Sequence, residues 1–101
     1  MNYKQVLKEK NQGIRDIRQA IVTNKIIVRD SSEILAALKA KIRDANKAGG
    51  GALVGSLTKE LNVRRSLVRQ VTDVQVTNRT LLREAYLLRK AIIEEWVAKE
   101  S

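Results

Sequence analysis

Cysteine, histidine, proline and phenylalanine are all missing from this chain, and each absence closes a set of possibilities. Without cysteine there is no disulfide and no thiol chemistry, as is usual in the reducing cytoplasm. Without histidine the commonest general base and the commonest metal ligand are gone. A metal site would need carboxylates alone, and Asp and Glu together number eleven. No catalytic residue, metal or cofactor is therefore expected, and the chain reads as a non-enzyme. Without proline nothing obliges a helix to stop. Aromatic residues are scarce, with one Trp and two Tyr, so the apolar content is mostly Leu, Ile, Val and Ala, which suits helix–helix packing. No apolar run reaches the length of a membrane span, no signal-peptide pattern opens the chain, and nothing points to a small-molecule substrate. A cytoplasmic location is expected.

Positive charge is what the chain has in excess. Twenty Lys and Arg against eleven Asp and Glu leave +9 on 101 residues, which favours a polyanionic partner. The excess is spread out. Residues 1–50 hold eleven basic and five acidic residues, and residues 51–101 hold nine and six.

Along the chain, residues 2–22 read as an amphipathic helix, with Tyr3, Val6, Leu7, Ile14, Ile17 and Ile21 at three-to-four spacing. The β-branched run Ile26, Ile27 and Val28 in Thr23 to Asp30 suits a short strand or an apolar linker packed on the core, and the lack of a convincing partner strand favours the linker. Val71 to Thr77 is the one other strand-like segment. Asp30 with Glu33 three residues later forms a capping-box pattern that opens a second helix ending near Lys47. Gly49, Gly50, Gly51 and Gly55 mark a loop over residues 49–55. It is not a Walker loop, because no Lys-Ser or Lys-Thr follows the last glycine.

From Leu67 onward residues recur every seven. Val71, Asn78, Ala85 and Ile92 make one row and Leu67, Val74, Leu81 and Leu88 the other, as in a coiled-coil seam. Asn78 is either a polar seam residue that sets register or, with Thr77, the cap of a final helix. Leu82, Ile93 and Trp96 widen the apolar face, and Arg89 lies within it. Residues 78–99 are thus expected to be an oligomerisation helix, with Leu81, Leu82, Ala85, Leu88, Ile92 and Trp96 at a self-association interface. Arg79, Arg83 and Lys90 form an exposed basic stripe beside Glu84 and Glu94. Glu94, Glu95 and Glu100 sit at the negative end of a helix dipole, which suggests a basic partner. A basic leucine zipper is set aside, because Leu61, Val63 and Val68 interrupt the basic region it needs.

The segment Leu57 to Val71 carries the sharpest functional signal. Leu57, Leu61, Val63, Val68 and Val71 fall where two short helices around a turn need apolar side chains. Asn62 stands at the turn, and Asn is the residue besides glycine that best tolerates a left-handed backbone. Over residues 54–73 this resembles the helix-turn-helix of small bacterial and phage DNA-binding proteins. Asn62 replaces the usual Gly, and Thr58 the usual Ala. The resemblance implies DNA contacts from Arg64, Arg65, Ser66, Arg69 and Gln70, the side chains that bond phosphates and base edges, with Lys59 near phosphates.

The expected fold is all-α: a single domain forming a small bundle of three to four helices, with a candidate helix-turn-helix region over 31–73 and a long C-terminal helix that drives homo-oligomerisation. The expected function is a small basic DNA-binding protein, a regulator or DNA-organising factor. The alternative is a helical assembly or adaptor protein, expected to show an unbroken helix from Leu57 to Lys99 with an exposed strip along Leu81, Leu82, Leu88 and Ile92. Single-strand or RNA binding has only Tyr3, Tyr86 and Trp96 as stacking platforms.

Overall fold

Apolar and small residues in this chain recur at alternating steps of three and four, the spacing that keeps one stripe of an α-helix facing a partner helix. The computed structural model describes residues 1–101, and almost all of them lie in two helices: α1, Tyr3–Lys47, and α2, Gly51–Glu100. In heptad notation, α1 carries Leu7, Ile14, Ile21, Val28, Leu35 and Ile42 at position a. Position d holds Tyr3, Lys10, Ile17, Asn24, Ser31, Leu38 and Ala45. In α2, position a holds Val54, Leu61, Val68, Gln75, Leu82, Arg89 and Trp96, and position d holds Leu57, Arg64, Val71, Asn78, Ala85 and Ile92. Every one of these residues is buried or half-buried.

The chain divides into two compact units. Unit 1 comprises Met1–Thr23 and Gln75–Ser101, and unit 2 comprises Asn24–Val74. In unit 1 the helices run antiparallel. Tyr3 stacks on Trp96 with ring centroids 5.8 Å apart and planes 7° from parallel. The Arg89 guanidinium donates to Asn11 Oδ1 at 3.1 Å, and Gln75 Nε2 donates to the Ile21 carbonyl at 2.9 Å. Ile14 and Ile21 are its buried aliphatics. Unit 2 is an αα-hairpin in which Leu38, Ala45 and Leu61 are buried along with Ser31. Burial of a side chain such as Leu38 or Leu61 stabilises by roughly 1.5–3 kcal/mol.

The turn is built by its glycines. Gly49 adopts φ +73, the Gly50 amide donates to the Ala45 carbonyl at 2.9 Å, and the Gly49 amide donates to the Asn46 carbonyl at 3.2 Å. This is a Schellman end to α1, with glycine in the left-handed position. Gly51 and Gly55, expected within the loop, are helical. At the other end of α1, Asn2 Oδ1 accepts from the Gln5 amide at 3.1 Å and caps the helix.

Several expectations are corrected. There are two helices, not a bundle of three to four. Residues 2–22 and 31–47 belong to one helix, because Asn24, Val28 and Ser31 continue the seam through the supposed linker. Asp30 and Glu33 are mid-helix and cap nothing. The Val-Thr run after Val71 is also helical. Its hydroxyls bond backward, Thr72 Oγ1 to the Val68 carbonyl at 2.7 Å and Thr80 Oγ1 to the Val76 carbonyl at 3.2 Å, so they do not interrupt the ladder. Packing of the seam face outweighs the weak helix propensity of these residues. No turn occurs at Asn62, which is helical and exposed, and no residue other than glycine has a positive φ. Asn78 is a seam residue and not a cap. The second seam row is Val68, Gln75, Leu82 and Arg89. Leu67, Val74, Leu81 and Leu88, one residue earlier, are exposed.

Two stability measurements follow from this geometry. Gly49→Ala forces a left-handed alanine and should lower unfolding free energy by about 1–2 kcal/mol. Gly55→Ala, where an added Cβ meets nothing within 4 Å, should raise it by about 1 kcal/mol. Urea titrations of the pair against wild type read both signs. Gln75 is buried with its Oε1 unpaired, so Gln75→Leu should raise stability by about 1 kcal/mol; a loss in the same titration would contradict the cost assigned to that oxygen.

Candidate nucleic-acid interface

Once the seam is fixed, each residue's heptad position decides which way its charge faces. The six residues expected to contact DNA do not share one surface. Arg64 is a seam residue, half-buried at position d. Lys59 and Ser66 lie at the outermost position f, and Gln70 at position c. Arg65 and Arg69 lie one turn apart at positions e and b, exposed on the same side of α2. The helix-turn-helix arrangement that would have brought the six together is absent, because α2 is continuous through Asn62.

Positions e and b are nonetheless where the basic residues gather. In unit 2 they carry Lys25, Arg29, Lys39 and Arg43 from α1 and Arg65 and Arg69 from α2. In unit 1 they carry Lys4, Lys8, Arg15 and Arg18 from α1 and Arg79, Arg83 and Lys90 from α2. All are exposed. No carboxylate occupies either position before Glu100, the last helical residue. The other Asp and Glu residues fall at c, f and g. In an antiparallel pair the two e positions share one flank. In unit 1 this flank is visible at Arg89, which bonds Asn11 of α1 and lies over the Tyr86 ring of α2 at 5.0 Å. Of the cations on these positions, Arg29 forms an ion pair, with Asp30 at 3.2 Å.

Within unit 1, Arg79, Arg83 and Lys90 rim a shallow groove of about 460 Å³ floored by Leu82, Tyr86 and Leu87. The groove presents cations above an apolar floor. At the open end of α2, Lys99 lies 5.7 Å from the Tyr3 ring centroid and 3.8 Å from Glu95. Tyr3 first, and Glu95 after it, hold its ammonium above the ordinary lysine value, so it stays charged across the physiological range.

The residues expected at a self-association interface also separate. Leu82, Ala85, Ile92 and Trp96 are half-buried seam residues of the chain's own helix pair, whereas Leu81 and Leu88 are exposed at position g. The basic positions of α1 were absent from the expected site, since nothing distinguishes e and b from c and f until the seam is known. Arg65 and Arg69 and the stripe of Arg79, Arg83 and Lys90, all on α2, were the parts visible in the sequence.

Comparison with known protein families, curated proteins and solved structures finds no match to this chain.

The split between seam and flank has a direct test. Arg64→Ala removes a stem packed in the seam and should destabilise by about 1 kcal/mol, whereas Arg65→Ala and Arg69→Ala should each stay within about 0.5 kcal/mol of wild type. Thermal unfolding of the three variants side by side checks the assignment.

Proposed function

We propose that this chain is a small basic DNA-binding protein of the organising kind, acting in the cytoplasm and gripping the phosphate backbone without reading base sequence. The observation that carries this is the exposed e and b flank of each unit, with six cations in unit 2 and seven in unit 1. It lacks carboxylates before the terminal Glu100. A carboxylate among these cations would pair with them and repel phosphates. With no carboxylate at these positions and Arg29 paired to the neighbouring Asp30, the flank as a whole keeps a surplus of positive charge that can displace condensed counterions. Along each helix these Lys and Arg follow one another at steps of three to ten residues, about 4.5–15 Å of axial rise. Charges distributed this way suit contacts to successive phosphates, which position a protein without specifying sequence.

A second reading is favoured by a different observation. The continuous α2, with Leu81 and Leu88 exposed on it, supplies part of what a helical assembly or adaptor protein needs, while Leu82 and Ile92 of the expected strip are half-buried in the chain's own seam. That role and backbone binding use different flanks and are compatible.

Fluorescence anisotropy with two labelled duplexes of unrelated sequence tests the backbone reading. Both should bind within about twofold of each other, with log K falling against log salt at a slope of roughly −5 for about six phosphates contacted. Arg65→Glu/Arg69→Glu should then lose at least tenfold more affinity than Lys47→Glu/Lys59→Glu, which changes net charge equally at the outermost position. Equal losses would assign binding to net charge alone. No binding at low salt would overturn the proposal.

A further inference from the structure

The g positions of unit 2 form an apolar flank on the side opposite the basic one. They hold Ile27 and Ile34 on α1 and Leu67 and Val74 on α2, which are 41%, 37%, 44% and 51% exposed. That both helices contribute to one surface is visible near the turn, where Lys41 and Ala48 of α1 and Leu53 of α2 line a single groove. Beyond the four aliphatics, position g continues as Lys41 on α1 and Glu60 on α2. Neither makes an ion pair within the chain. An aliphatic strip ending in one unpaired cation on one helix and one unpaired anion on the other is self-complementary.

We propose that this flank is the interface between two copies of the chain, with α1 of one copy lying antiparallel against α2 of the other. In that arrangement Ile27 meets Val74, Ile34 meets Leu67 and Lys41 meets Glu60 across the interface. Symmetry makes each contact twice. Pairing α2 with α2 about Val74, the middle of its own g row, would instead set Glu60 against Leu88 and Leu53 against Glu95, burying both carboxylates against apolar side chains, and is disfavoured. The area is adequate. Two helices side by side are about 20 Å wide, and the 24 residues of α1 in unit 2 rise about 36 Å, a footprint on the order of 700 Å² against the roughly 800 Å² per partner of a stable interface. The basic flank takes no part, so this pairing and the binding of nucleic acid stand or fall separately.

Sedimentation equilibrium of the full chain at physiological salt tests this. Wild type should be a dimer at micromolar concentration. Ile34→Glu/Leu67→Glu should be monomeric with its helical circular dichroism retained, since both positions are exposed in the single chain. Lys41→Glu and Glu60→Lys each place like charges across the interface and should each weaken dimerisation by three- to tenfold. An equimolar mixture of those two single variants restores opposite charges only between copies, and should recover wild-type association. A monomeric wild type, a dimeric Ile34→Glu/Leu67→Glu, or a mixture no tighter than its components would each overturn the proposal. The mixture also separates an interface between copies from a Lys41–Glu60 attraction inside one chain, which mixing cannot repair.

Discussion

Each helix of this chain buries one stripe against the other, and nearly every other property follows from that constraint. Two helices alone have no third element to cover their remaining surfaces. A residue at a or d is therefore partly shielded, and a residue elsewhere meets solvent or a partner. No side chain reaches complete burial, so the hydrophobic contribution per residue is modest and the seam must run the length of both helices to hold them together. This explains how the seam tolerates Lys10 and Asn24 on α1 and Gln75 and Arg89 on α2. The long stems of Lys and Arg cover apolar neighbours while their charged ends reach water or a partner such as Asn11.

Part of this was legible in the residues. The row Val71, Asn78, Ala85 and Ile92 was recognisable because three of its four members are apolar. The row beside it was misplaced by one residue. Leu67, Val74, Leu81 and Leu88 are more uniformly apolar than Val68, Gln75, Leu82 and Arg89, so hydrophobicity alone selects the exposed row over the buried one. The turn at Asn62 and the cap at Asp30 were read from local patterns that describe how helices can end. Neither pattern can weigh the cost of interrupting a seam that continues on both sides, and here the seam prevails. The basic flank was the least legible feature, because it is a periodic selection of residues drawn from both helices and defined only by the register between them.

The polar residues of the seam have a place as well as a cost. Asn24, Ser31, Gln75 and Asn78 cluster near the points where the chain divides into its two units, at Thr23/Asn24 and Val74/Gln75. Aliphatic layers tolerate sliding by a heptad with little penalty, whereas a polar group in the seam is satisfied only at one alignment. The bond from Gln75 to the Ile21 carbonyl is such a marker. Here the chain gives up some stability for a defined register.

The three-residue Schellman turn also orders the cost of assembly. Contacts beside it close short loops. The Gln75–Ile21 bond spans 54 residues and the Arg89–Asn11 bond spans 78. Closure entropy rises with the logarithm of loop length, so pairing beside the turn in unit 2 costs less than joining the distant segments of unit 1. The hairpin of unit 2 is thus the part of the chain whose closure is cheapest, and unit 1 must be joined across the whole of it in sequence.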